Sequence, residues 1–250
     1  MDSRTCSVAI PYYNNSYFML DTLKTPVNDD RISEIIICDD KSKDLDKLKS
    51  YISKIPTTKI RIFENDKNLG CYHNKINTVK KCTNDWCILL DSDNIIEKDF
   101  IDNLFAIEKW DDTTIYSPSR PITFPGEPSA MLDYRNYSNK YITRDVYVRD
   151  FNDPKFSCLI NTCNYFVPAK NFVECMLPYE KQYNRNYIDC LDSAVLFTDW
   201  LTNNNKIFVV NGLSYKHRLH ADSNYARGHS RQHEDSLKKE LYAKVKNFSQ

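Results

Sequence analysis

Apolar positions in the first half of the chain fall into short blocks, and the blocks alternate between two periods. "CSVAIPYY" (6–13) is a continuous apolar, β-rich run closed by the turn-like "NNS". After it, Phe18, Met19, Thr22 and Leu23 recur on one side of a helix that Pro26 is expected to stop. "SEIIICDD" (33–40) is a second unbroken apolar run, and Leu45, Leu48, Ile52 and Ile55 then repeat at helical spacing up to Pro56. The unit recurs: "KIRIFEN" predicts a strand, "CYHNKINTVKKC" a helix, "DWCILLDSD" a strand and "KDFIDNLFAIEKW" a helix. Apolar strands alternating with amphipathic helices predict an α/β fold with a mostly parallel central sheet, helices on both faces and right-handed crossovers.

Past Ile115 the pattern loosens. "SPSRPITFPGEPS" is proline-rich, and residues 131–153 are crowded with Tyr, Arg and Asp without periodicity. Regular signals return with a strand in "NYFVPA", a helix near 169–176, a helix from about Asp189 to Thr202, the strand "KIFVVNG" and a final amphipathic helix, "LKKELYAKVKNF". With no internal repeat or linker, the 250 residues read as one domain: 1–115 a ligand-binding half, 116–233 a less regular second half, 234–250 a C-terminal helix.

Composition narrows the function classes. The 34 basic and 34 acidic residues cancel, so no global field marks a nucleic-acid binder. No apolar run approaches the ~20 residues of a membrane span, and the start lacks the apolar core of a leader, so a soluble, cytoplasmic protein without a transmembrane segment is expected. Nine cysteines, an odd number with no CxxC pair, lie mostly within apolar segments and are expected to be buried free thiols.

The chemistry gathers at strand ends. In an open parallel sheet, ligands bind beyond the carboxyl ends of the strands. "PYYNN" follows the first strand, Asp39–Asp40 the second and Asp91–Ser92–Asp93 the fourth. Several carboxylates on one edge repel one another unless a cation or a hydrogen-bonding ligand compensates, and a nucleotide with Mn²⁺ or Mg²⁺ does both. Each acid alone also suits a helix cap.

Four such motifs, in order and spacing over roughly residues 6–100, resemble the family-2 glycosyltransferases of GT-A fold. "SVAIPYYNN" is similar to that family's opening "IPxYN", "EIIICDDKSKD" to "hhVDDxSxD", "ENDKNLGCYHNKIN" to "NxGxxxARN", and "DWCILLDSDN" to "hhhLDsDD". The resemblance implies a GT-A, Rossmann-like domain that moves a sugar, with inversion, from a nucleotide-diphosphate sugar such as a UDP-sugar to a hydroxyl of a glycan, protein or lipid-linked acceptor, assisted by Mn²⁺ or Mg²⁺. It implies Pro11 and Tyr13 lining the nucleotide cleft, Asp39 or Asp40 at the base, Asn68 and Lys75 on the donor (Lys75 in place of the usual arginine), Asp91 and Ser92 at the ribose or a metal-bound water, and Asp93 on the metal.

The resemblance also implies a carboxylate general base at a helix start, in an "ED" motif before a late strand. Here that motif has become Leu191–Asp192, so Asp192 is the expected base, with Asp189, one turn earlier, in reserve. After the last strand, His217 and His220 are candidate metal ligands, and Arg218 and Arg227 candidate phosphate partners. Two other readings stay open: a catalytically silent module of the same fold, and a nucleotidyltransferase, which the missing glycine-rich loop after the first strand disfavours. A dinucleotide oxidoreductase fails because no GxGxxG follows any strand.

Overall fold

The structure, a computed structural model, describes residues 4–179, 183–223 and 232–248. Its first hundred residues run β1 (Cys6–Tyr12), α1 (Met19–Asn28), β2 (Ile32–Asp39), α2 (Leu45–Ile52), β3 (Ile60–Glu64), α3 (Cys71–Lys80), β4 (Trp86–Leu89) and α4 (Lys98–Phe105). There follow β5 (Thr114–Phe124), β6 (Lys140–Ile142), α5 (Arg144–Asp150), α6 (Pro154–Ile160), β7 (Phe166–Pro168), α7 (Ala169–Met176), α8 (Arg185–Ile188), α9 (Asp192–Leu201), β8 (Lys206–Arg218) and α10 (Glu234–Asn247).

The eight strands form one sheet in the order β3-β2-β1-β4-β7-β5-β8-β6. β1 pairs parallel with β2 and β4, β2 with β3, and β5 with β8, while β7 and β6 run antiparallel to their neighbours. Because the chain leaves β1 toward β2 on one side and returns as β4 on the other, a crevice opens beyond the carboxyl ends of β1 and β4. β1 is apolar at almost every position because both its faces are covered. Val8 and Ile10 enter a core with α1, α2 and α4, and on the other face Ala9 and Leu89 join a core with α3, α7, α9 and α10.

Three sequence expectations fail locally. Pro26 does not stop α1: it sits buried within the last turn, where a missing N–H removes a single helical bond, and the helix continues to Asn28. The proline-rich stretch is the eleven-residue β5; it pairs with β7 only at Tyr116, so beyond that point the prolines face an edge that asks no donor of them, and β8 holds the other side. The helix expected from Asp189 begins at Asp192, after the separate short turn α8. Of the tyrosines in 131–153, Tyr134, Tyr137 and Tyr147 are core residues, and Tyr141 is half exposed.

β8 also runs beyond the expected strand, to Arg218, and its end is fastened by a two-way backbone bridge, Ile95 N–H to the Lys216 carbonyl at 3.1 Å and Lys216 N–H to Ile95 at 2.8 Å. That bridge brings the residues after β8 beside the Asp91–Asp93 loop. All nine cysteines are free thiols, six of them buried and Cys71, Cys82 and Cys158 partly so. No helix among the described residues is long and apolar enough to cross a membrane.

Candidate active site

A cleft of about 1580 Å³ opens where the strand-end analysis puts it. Its walls include Pro11, Tyr13, Asp40, Asn68, Lys75, Asp91, Ser92, Asp93, Asp189, Asp192, His217, Arg218 and His220, so residues spread over 210 positions of sequence converge on one space. Asp39 is not in the wall, and Arg227 lies outside the described residues.

The acids after β2 serve the chain itself. Asp39 is buried, and its carboxylate accepts the Ser42 N–H at 3.1 Å, closing the turn before α2. Asp40 accepts the backbone N–H groups of Leu69 (2.6 Å) and Gly70 (2.8 Å) and the Asn65 amide (2.9 Å), so it caps the entry to α3. Asn68 donates to the Asp40 carbonyl at 2.8 Å, and Gly70, with φ of 84°, makes the turn between them. Of the two acids expected at the base, Asp39 or Asp40, Asp39 is buried away from the cleft and only Asp40 touches it. Ser92 is likewise buried; its hydroxyl accepts from Asn15 Nδ2 at 2.8 Å and its carbonyl from Thr22 Oγ1 at 3.1 Å, which pins the loop after β4 to the start of α1.

Lys75, on the second turn of α3, is buried at the centre of the site. Its Nζ lies 2.6 Å from Asp192 Oδ2, 3.3 Å from Asp91 Oδ1, 2.6 Å from Cys163 Sγ and 3.3 Å from Ser193 Oγ. Burial works against the ammonium, but Asp192 and then Asp91 outweigh it and hold Lys75 well above the ordinary lysine value. Burial pushes the Asp192 carboxyl up, and Lys75 pulls the other way. Asp192 opens α9, where the helix N-terminus favours negative charge. Asp91 is held on every side: its N–H donates to Asn164 Oδ1 at 2.9 Å, and Asn94 reaches its Oδ2 at 3.4 Å. Asp189 also lies in the cleft wall, before α9.

On the opposite wall, Asp93 Oδ2 meets His220 Nε2 at 2.9 Å. Arg218 fastens that corner: Nε donates to the Asp93 carbonyl at 2.9 Å, one terminal nitrogen pairs with Asp21 at 2.9 Å, and the guanidinium stacks on Phe18 and Phe124, 4.5 and 4.6 Å from their ring centroids. His217 lies deeper; burial lowers its basicity, with Asp93 and Asp91 pulling back. Among the described residues no group of three or more His, Cys, Asp or Glu side chains is arranged to hold a metal ion. The Asp93–His220 pair, one carboxylate and one imidazole, does suit two positions around Mn²⁺ or Mg²⁺.

Sequence reasoning had no signal for Ser193 and Tyr215, and reached Tyr134 and Thr162 only through the tyrosine-rich 131–153 stretch and "NTCNYF". Tyr134, Thr162 and Tyr215 all line the cleft, with Thr162 Oγ1 and Tyr215 Oη 3.3 Å apart. Cys163 and Thr162 sit in "NTCNYF", the loop before β7.

A family model described as glycosyl transferase family 2 matches residues 7–167. The chain belongs to glycosyl transferase family 2. Among solved structures it is similar to Staphylococcus aureus TarS 1–349 in complex with UDP-GlcNAc (15% identity, TM-score 0.66, covering 97% of this chain and 72% of that one) and to the same protein with UDP (14%, 0.64, 96% and 65%). It is also similar to GalNAc-T7 with UDP, GalNAc and Mn²⁺ (17%, 0.64, 97% and 50%). These likenesses establish the GT-A fold, with this family-2 chain spanning from half to about two-thirds of the proteins it resembles. No curated protein sequence matches it.

Proposed function

We propose that this family-2 chain transfers a sugar from a UDP-sugar to an acceptor hydroxyl with inversion at the anomeric carbon. The observation that carries the reading is the meeting, in the lining of one cleft, of a buried carboxylate at a helix start, Asp192, with the Asp93–His220 pair. The UDP, UDP-GlcNAc and Mn²⁺ named with its structural relatives support it.

In this reading Pro11, Tyr13 and Asp40 border the nucleotide, and Asp91, immobilised by Lys75 and Asn94, borders the ribose. With both Asp91 oxygens engaged, the metal-holding role falls to Asp93 and His220, with His217 behind them. A bound Mn²⁺ or Mg²⁺ there supplies Lewis-acid stabilisation of the charge that grows on the departing diphosphate. Arg218 keeps the loop carrying Asp93 in place, and Arg227 is retained as a phosphate partner from the sequence. Asp192 takes the proton of the acceptor hydroxyl as its oxygen bonds to the anomeric carbon, while the bond from that carbon to the diphosphate breaks and its electron pair leaves with UDP. Asp189 is the reserve base. Melting temperature with UDP, with and without Mn²⁺, tests the donor side: stabilisation by the two together, lost in Asp93→Ala, is expected, and stabilisation independent of both metal and Asp93 contradicts it.

One contact favours a second reading. Lys75 already occupies Asp192 Oδ2, as suits a chain that binds a donor without turning it over. UDP binding with no sugar transfer or donor hydrolysis on any donor favours that silent module.

A further inference from the structure

Lys75 is a buried cation for which the proposed chemistry has no task. The family resemblance puts it where an arginine would contact the donor, yet at the cleft wall it is almost fully buried and faces protein acceptors. An ammonium has three N–H donors. Four acceptors, Asp192 Oδ2, Cys163 Sγ, Asp91 Oδ1 and Ser193 Oγ, lie within 3.3 Å of Nζ, so protein groups already outnumber the donors for which a phosphate oxygen would compete. Four segments meet there: α3 supplies the lysine, the loop after β4 Asp91, the loop before β7 Cys163, and the start of α9 Asp192 and Ser193. The thiols facing the site, Cys163 and Cys71, are pushed up by burial and stay protonated, so the charge facing Nζ comes from the two aspartates. A buried carboxylate, Asp192, and a half-buried one, Asp91, on one edge repel unless a cation lies between them, and the Lys75 ammonium supplies it.

Resting on the sugar-transfer reading above, we propose that Lys75 is a positioning residue: the shared counter-ion that aims Asp192 at the acceptor and ties it to Asp91, and not a ligand of the donor phosphates. Donor binding and base function then separate by residue. Asp91 borders the donor, Asp192 acts on the acceptor, and Lys75 links them without touching either substrate.

The test compares wild type, Lys75→Met and Lys75→Arg. In calorimetric titration with Mn²⁺, the UDP affinity is expected to change by well under tenfold in Lys75→Met, because Asn94 and Asn164 still hold Asp91, whereas turnover falls roughly 10²-fold, as for a misplaced catalytic group, with the donor KM changed as little. Lys75→Arg, which keeps the charge in a larger shape, restores part of kcat. A loss of UDP affinity of roughly tenfold or more in Lys75→Met overturns the proposal, because it marks a phosphate contact. A ligand-free arm keeps the result separate from the sugar-transfer reading: in protein labelled with ¹³C at aspartate carboxyls, the Asp192 signal is expected to titrate at higher pH in Lys75→Met than in wild type. An unchanged midpoint overturns the proposal even if no donor is ever turned over. Wild type that transfers nothing, with the midpoint shifted as expected, removes the sugar-transfer reading and leaves the Lys75–Asp192 coupling standing. Should Lys75→Met not fold, Asp192→Asn is titrated instead, and the Lys75 amine is expected to lose its proton at lower pH than in wild type; no change there is equally decisive against the coupling.

Discussion

Asp93 and His220, 127 positions apart, meet at 2.9 Å because the end of β8 is bridged to Ile95 and clamped by Arg218. The proposed function makes His220 a metal ligand beside Asp93, and His220→Ala tests it. The concentration of Mn²⁺ needed for half-maximal stabilisation by UDP should rise by at least the roughly 10–100-fold that follows loss of an outer-sphere partner. Melting temperature without Mn²⁺ should stay close to wild type. An unchanged Mn²⁺ requirement removes His220 from the metal site.

Asp40 should matter for stability more than for binding. Asp40→Ala leaves the Leu69 and Gly70 N–H groups without their acceptor, and each such buried donor costs about 1–3 kcal/mol. For a chain of this size a loss of that order lowers the melting temperature by about 2–4 °C per kcal/mol. Thermal unfolding of the variant without ligand measures it, and a melting temperature equal to wild type contradicts the capping role.

The C-terminal helix should be tied to α9 by charge. Lys244 lies 2.5 Å from Asp199, a fully buried carboxylate that also accepts the hydroxyls of Tyr72 and Tyr183 at 3.0 and 2.9 Å. Lys244→Met leaves that carboxylate with neutral partners only, and removing one member of a buried pair destabilises by roughly 3–5 kcal/mol. Denaturant unfolding should register a loss approaching that range, and less in Lys244→Arg.

Glu34 carries a pH signature. Burial works to raise its carboxyl, but hydrogen bonds from Ser7 and Thr83, with Arg61 beside it, hold it below the ordinary glutamate value of 4.5. A depressed carboxyl stabilises the fold above its unfolded value, and that contribution is lost as pH falls through the folded one. The stability difference between wild type and Glu34→Gln should therefore be constant near neutrality and shrink once pH drops below about 4.5. A difference that widens with acidity contradicts this assignment.

Much of the architecture was legible because apolar runs and helical repeats in residues 6–110 have no competing signal: β1, β3, β4, α2, α3 and α4 fall within the predicted stretches, β2 begins one residue early and α1 runs on past Pro26. The strand-end acids were legible as a cleft for the same reason. What one acid does there was not, because it depends on contacts remote in sequence. Asp40 looks like Asp39 until Leu69 and Gly70 fold against it, and Lys75 looks like a solvated helix lysine until Asp192, 117 positions later, arrives beside it. β5 stayed hidden because its prolines contradict strand propensity, and only its pairing shows which edge they face.

The central claim is sugar transfer from a UDP-sugar, and release of UDP measures it most directly. Wild type and Asp192→Asn are incubated with Mn²⁺ and a panel of UDP-sugars, scoring donor hydrolysis where no acceptor is supplied. The account predicts UDP release from at least one donor by wild type, with Asp192→Asn still binding UDP but slowed by roughly 10²–10⁴-fold. No release from any donor, or undiminished release by Asp192→Asn together with its loss in Asp189→Asn, contradicts it.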